Sequence, residues 1–182
     1  FFFFKDKATA EIYTRSLHDA LPINGQGAWT TGLEGDAGTA WELGVPAVLA
    51  TGPSSAHSPD NCFATNIGGG CTDDALVWLR SPAIDLTDAV GGTLRFFHFK
   101  DIENNFDLGT INVLDAADDS LIAELQTDID DFTTDWEEVT RTLPAEAMGK
   151  NIKIEFRFEA DDFNQQPQAG WYIDDVEVTA RK

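Results

Sequence analysis

From Ile152 to Glu159 apolar and charged side chains alternate without a break: Ile152, Ile154, Phe156 and Phe158 against Lys153, Glu155, Arg157 and Glu159. Successive residues of a strand point to opposite faces, so period two over eight residues specifies a half-buried antiparallel strand and excludes an amphipathic helix. Leu76–Leu79, Leu94–Ile102, Thr110–Leu114, Leu121–Leu125, Trp136–Leu143 and Trp171–Thr179 read as further strands. Gly91-Gly92, Asp118-Asp119-Ser120 and Gly149-Lys150-Asn151 punctuate them as turns, and Pro144 to Met148 offers one helical turn at most. Many short strands with almost no helical periodicity predict an all-β antiparallel sandwich or jelly roll rather than a βαβ sheet.

The chain has 182 residues, enough for one domain with a substantial core. Its 32 acidic and 12 basic residues give a net charge of −20, a field that repels nucleic acid and anionic membrane and attracts divalent cations and basic partners. No apolar run approaches the roughly 18 residues that span a bilayer, so membrane insertion is not expected.

Residues 1–23 differ from the rest. Their charges cancel, leaving the whole −20 on the residues from Asn24 onward, and EIYT and SLHDALPI resemble translated sequencing-adapter DNA. The expectation is a non-native leader at 1–23 followed by a single β-sandwich domain at 24–182.

Cys62 and Cys71 flank a loop with three glycines, Gly68 to Gly70. In an exported protein, which the acidic, Thr/Asn/Asp-rich composition suggests, two cysteines so spaced favour a disulfide.

The segment DIENNFD brings Asp101, Glu103 and Asp107 around a turn-prone Asn104-Asn105 pair. Calcium takes six to eight hard oxygens, which strand-end carboxylates beside an Asn-rich bend can begin to supply. The last strand, GWYIDDVEV, poses a related question. Strict alternation places Tyr172, Asp174, Val176 and Val178 on one face and Trp171, Ile173, Asp175 and Glu177 on the other, so one aspartate must lie on the buried side. A buried carboxylate is costly without a cation or several donors. Asp174 and Asp175 are therefore expected to join Asp101, Glu103 and Asp107 around Ca2+. The pair Asp161-Asp162, beside Asn164, lies close enough in sequence to approach the same strand. Asp115, Asp118, Asp119, Asp128, Asp130 and Asp131 read as ordinary turn residues.

No catalytic constellation emerges. There is no His-Glu-x-x-His, no Gly-x-Ser-x-Gly and no phosphate loop. Asp101-Ile102-Glu103 lacks the third carboxylate that a laminarinase-like strand would carry, and His98 between two phenylalanines reads as a packed residue. An enzyme is not expected. Among five tryptophans, Trp78 and Trp171 fall in strands, whereas Trp29 and Trp41 lie in loop-like sequence; Trp41 is the candidate for stacking on a sugar.

The order of landmarks carries a resemblance. Trp41-Glu42-x-Gly44-x-Pro46 is followed by NCFATN, WLRSPAIDL, LRFFHFKDIENNFDLGTINV, DWEEVTRTLPAEAMGKNIKIEFRFEADD and GWYIDDVEV. The series, over residues 29–180, resembles the MAM-like jelly-roll modules of bacterial secreted proteins, including those appended to immune inhibitor A type metallopeptidases and to anchored surface proteins. The resemblance implies a concanavalin-like, two-sheet accessory domain, often with structural calcium, secreted or at the cell surface. Two functions follow as expectations: an adhesion module that targets a larger protein to a glycan or a cell-surface protein, or an accessory domain packed on the peptidase domain of the same chain. The strand that usually precedes the Trp-Glu motif falls where the foreign segment sits, so an incomplete first sheet is expected.

Overall fold

In the computed structural model, residues 26–161 and 168–182 are described, together with the backbone of Ile12–Ser16. The rest of residues 1–23, where a non-native leader is expected, and Asp162 and Asn164 lie outside the described residues.

Thirteen strands are described, in two antiparallel sheets. The first sheet joins β1 (Ile12–Ser16), β3 (Trp41–Gly44), β4 (Cys62–Thr65), β7 (Gly91–Ile102), β10 (Asp131–Phe132), β11 (Glu137–Thr142) and β13 (Gly170–Arg181). The second joins β2 (Thr30–Leu33), β5 (Leu76–Arg80), β6 (Ile84–Asp85), β8 (Leu108–Asp115), β9 (Leu121–Ile129) and β12 (Asn151–Glu159). A single 3-10 turn at Ala145–Ala147 is the only helical element among the described residues. The all-β architecture expected from strand periodicity, and the two-sheet antiparallel jelly-roll sandwich that the resemblance implies, are the fold observed.

The alternation in β12 works as its sequence implies. Ile152, Ile154, Phe156 and Phe158 are fully buried between the sheets, against Phe96, Trp171 and Ile173 of the first sheet. Phe156 meets Phe96 and Trp171 edge-on at 5.2 and 5.8 Å between ring centres, a geometry that aromatic quadrupoles favour.

A second, smaller apolar cluster covers the outer face of the first sheet. Cys62, Ala64, Phe99 and Tyr172 point outward there and are roofed by Ala56, Ala169 and the half-buried Leu49 and Trp136. The segment between β3 and β4 therefore lies across the sheet like a flap. This second layer determines what happens to the cysteines and to the last strand.

Cys62 belongs to the outer cluster, while Cys71 packs in the central core with its Sγ 3.1 Å from Thr65 Oγ1. The two sulfurs stand on opposite sides of β4, so the expected disulfide is not formed and both are free, buried thiols. Burial pushes both thiols up, Cys71 to about 12, which makes them poor nucleophiles. The native protein should be inert to a thiol reagent and show both thiols only after unfolding, with a melting point unaffected by reductant. A melt lowered by dithiothreitol would contradict this assignment.

The strand expected to be missing from the first sheet has an occupant. Ile12–Ser16 pairs antiparallel with the second half of β13, from Ile12 opposite Arg181 to Ser16 opposite Glu177.

Candidate metal centre

The question posed by GWYIDDVEV is resolved by a β-bulge. The register of β13 against β7 shifts between Asp174 and Glu177, and Asp175 takes a left-handed φ of 50°. Trp171 and Ile173 face the core before the bulge; Val176, Val178 and Ala180 face it afterwards. Neither aspartate enters the core. Asp174 lies under the flap, 2% exposed, and accepts hydrogen bonds from Ser58 N (3.0 Å), Ser58 Oγ (3.4 Å) and Asp175 N (2.8 Å). Asp175 pairs with His57 Nδ1 at 2.5 Å, and the His57 ring stacks on Phe97. The compensation is supplied by donors of the flap, and among the described residues neither aspartate belongs to a group spaced to hold a metal.

Asp101 is also placed elsewhere. It faces outward near the end of β7, where Oδ2 accepts from Thr51 Oγ1 (2.6 Å) and Ala169 N (2.7 Å). Glu103 lies beyond the end of β7, in a turn closed by the Phe106 and Asp107 amides donating to its carbonyl at 3.3 and 3.1 Å. Strand alternation stops there, so Asp101 and Glu103 do not share a face.

Two of the five expected ligands do converge. Glu103 and Asp107 stand with Asp161, each offering a carboxylate oxygen within 4.8 Å of the others. The register explains the third member: Glu159 of β12 pairs with Leu108 of β8, so the chain leaving β12 passes Asp107. The Asp161 amide donates to Asp107 Oδ1 at 3.1 Å, and the Asp161 carbonyl accepts from Asp74 N at 2.7 Å.

The chemistry of this cluster is unbalanced by protein groups alone. Glu103 Oε2 and Asp107 Oδ2 are buried without a hydrogen-bond partner. Burial first, and then the charges of Asp161, Glu103 and Asp73, push the Asp107 carboxyl up to about 6, against the lowering effect of the Asp161 amide. Buried, unpaired acceptors that repel one another are what a cation would satisfy. The donor set, all hard oxygen, fits a metal such as calcium or magnesium. It is a buried acidic cluster able to coordinate a metal ion.

Trp41 is not available to a ligand: it is 3% exposed, with its ring 5.7 Å from that of Trp171. Trp29 is buried as well, and the half-exposed tryptophans are Trp78 and Trp136. The loop-like sequence around Trp41 hides the short pairing of β3 with β4 that turns the ring inward. His98 is 4% exposed, accepts from Trp171 Nε1 at 3.4 Å, and is held down to about 4 by burial and by the nearby cations Lys100 and Arg141. It is a neutral core residue. Among the described residues no helix is long and apolar enough to cross a membrane.

No family model matches the chain. Bacillopeptidase F of Bacillus subtilis (strain 168) is 32% identical over 136 residues, which are 75% of this chain; the chain spans 9% of the length of that relative. The K1 cleaved adhesin domain of Lys-gingipain from Porphyromonas gingivalis W83 superposes with a TM-score of 0.54 at 20% identity, over 94% of this chain and 98% of that one. TmCBM61 in complex with β-1,4-galactotriose gives 0.53 at 17% identity, over 90% and 92% of the two chains. At such identities these likenesses establish the jelly-roll fold that the three share.

Proposed function

We propose that this chain is a non-catalytic accessory domain of a secreted bacterial peptidase, stabilised by calcium at Glu103, Asp107 and Asp161. The observation that carries the reading is the 32% identity to a stretch of Bacillopeptidase F that amounts to 9% of that protein, the proportion of an appended module. The K1 cleaved adhesin domain of Lys-gingipain has the same fold, and the MAM-like resemblance of the sequence points to an accessory module. Two roles suit such a module: packing on the peptidase domain of its own chain, and docking that chain on a glycan or a cell-surface protein. TmCBM61, captured with a galactotriose, is an example of the second on this fold.

Calcium would supply positive charge to the otherwise unpaired oxygens of Glu103 and Asp107 and tie the β7–β8 turn to the end of β12. The remaining coordination positions would fall to backbone carbonyls and water. The two described histidines stand apart: His57 is engaged with Asp175 on the outer face of the first sheet, whereas His98 is buried on its inner face. The test is the parent reading frame. It should encode a peptidase catalytic domain and an export signal; a frame with only anchors and repeats around this domain would overturn the peptidase reading.

A further inference from the structure

The outer face of the second sheet carries a groove of about 390 Å³ that neither the metal centre nor the flap explains. Its floor is polar and unexpectedly buried. Glu155 occupies a position that strand alternation assigns to solvent, yet it is 3% exposed. Its carboxylate accepts from Arg80 Nε at 2.6 Å and from Asn112 Nδ2 at 2.9 Å. Asn112 is itself 7% exposed, lines the groove, and leaves its Oδ1 buried without a partner. An orphaned amide oxygen costs a folded protein free energy unless something donates to it.

The cations on this face are already matched. Arg80 also bonds Asp119 at 3.1 Å, Lys153 bonds Asp119 at 2.6 Å, and Arg157 holds Glu34 at 2.7 Å. An anionic ligand, which Glu124 and Glu159 of the lining repel, would have to displace one of these partners. A neutral ligand rich in hydroxyls need not, because each hydroxyl can donate to Asn112 Oδ1 or Glu155 and accept from a guanidinium N–H left over by Arg80 or Arg157. At one end the groove turns apolar, with Leu114 lining it and Leu121 standing 56% exposed at the rim. Alternating donors and acceptors beside an apolar ledge match a pyranose, which presents hydroxyls around its edge and C–H bonds on its face.

We infer that this groove binds a neutral oligosaccharide, with Asn112, Glu155, Arg80 and Arg157 reading its hydroxyls and Leu121 at the rim receiving its C–H face. The inference deepens the surface-docking part of the proposed function and is independent of the peptidase part: a parent frame without a peptidase leaves the groove untouched.

The experiment titrates cellotetraose, mannotetraose and lacto-N-tetraose, each to millimolar concentration, into the isotopically labelled full chain, following the Asn112 side-chain amide and the Arg80 and Arg157 Nε–H resonances. At least one sugar should shift these signals in a saturable way. Asn112→Ala should weaken that sugar about tenfold or more, the equivalent of one or two lost hydrogen bonds. Leu121→Asp, at an exposed site that leaves folding intact, should weaken it as well. Phe132→Ala, which alters a separate groove on the first sheet beside Thr51 and Asp101, should change nothing. Failure of all three sugars to bind overturns the inference. So does binding lost in Phe132→Ala and kept in Asn112→Ala and Leu121→Asp, or stronger binding of the sialylated form of lacto-N-tetraose than of the neutral one.

Discussion

Removing calcium with a chelator should lower the melting temperature of this domain by roughly 5–11 °C. A ligand present at about 100 times its dissociation constant, and bound only by the folded state, adds roughly 2.7 kcal/mol, and for a domain of this size each kcal/mol is worth about 2–4 °C. Asp107→Asn should abolish the response and also raise the stability of the metal-free domain. Without metal, the wild-type carboxyl is raised from 3.8 to about 6 by burial and by its acidic neighbours. A group that holds its proton more tightly when folded imposes no penalty below the lower value and its full penalty above the higher one. The metal-free domain should therefore lose stability as pH rises from about 4 to 6, by about 3 kcal/mol in total. Asparagine carries no such penalty and retains an oxygen for the Asp161 amide that now donates to Oδ1 at 3.1 Å. At pH 7 the variant should melt above the wild type in chelator, and calcium at about 100 times its dissociation constant should raise the wild type to about the level of the variant. Thermal melts in the two buffers check both statements; a gap between variant and wild type that is the same in chelator and in calcium would contradict the proposed placement of the metal.

Asp174→Ala should cost about 2–5 kcal/mol whether calcium is present or not. The carboxylate is 2% exposed and accepts the backbone N–H groups of Ser58 and Asp175. Truncation leaves these donors without an acceptor, at about 1–3 kcal/mol each when buried. It also detaches the flap that covers Phe99 and Tyr172, so the loss should appear as early proteolysis between β3 and β4 as well as in the melt. A destabilisation that vanished in chelator would return Asp174 to the metal site.

The two halves of this contrast show what was legible in the sequence. The alternation from Ile152 to Glu159 fixes a strand because its period is unbroken, and the whole sandwich follows from several such runs. Glu103 and Asp107 were legible as neighbours in one acidic cluster because they sit in one short turn. Asp161 was harder to place, since its arrival depends on the pairing of Glu159 with Leu108, a register that local sequence does not contain. GWYIDDVEV misleads because alternation was carried through it. Trp171 and Ile173 are odd-numbered, whereas Val176, Val178 and Ala180 are even, and that change of phase is the trace of the bulge at Asp175. The cysteines and Trp41 fail for a related reason. A flap over the outer face gives the first sheet two buried sides, so a short loop no longer brings Cys62 and Cys71 together, and an aromatic in loop-like sequence is drawn inward. Glu155 is the converse case, a charged residue at a solvent-side position that is buried by Arg80 and Asn112.

The most direct test of the metal centre is calorimetric titration of calcium into the chelated protein and into three variants: Asp107→Asn, Asp174→Asn and Asp175→Asn. The structure predicts one site in the wild type, lost in Asp107→Asn and retained in the other two, with proton release on binding that grows as the starting pH is lowered toward 6. Absence of binding in the wild type, or its loss on changing Asp174 or Asp175 while Asp107→Asn still binds, would contradict the account.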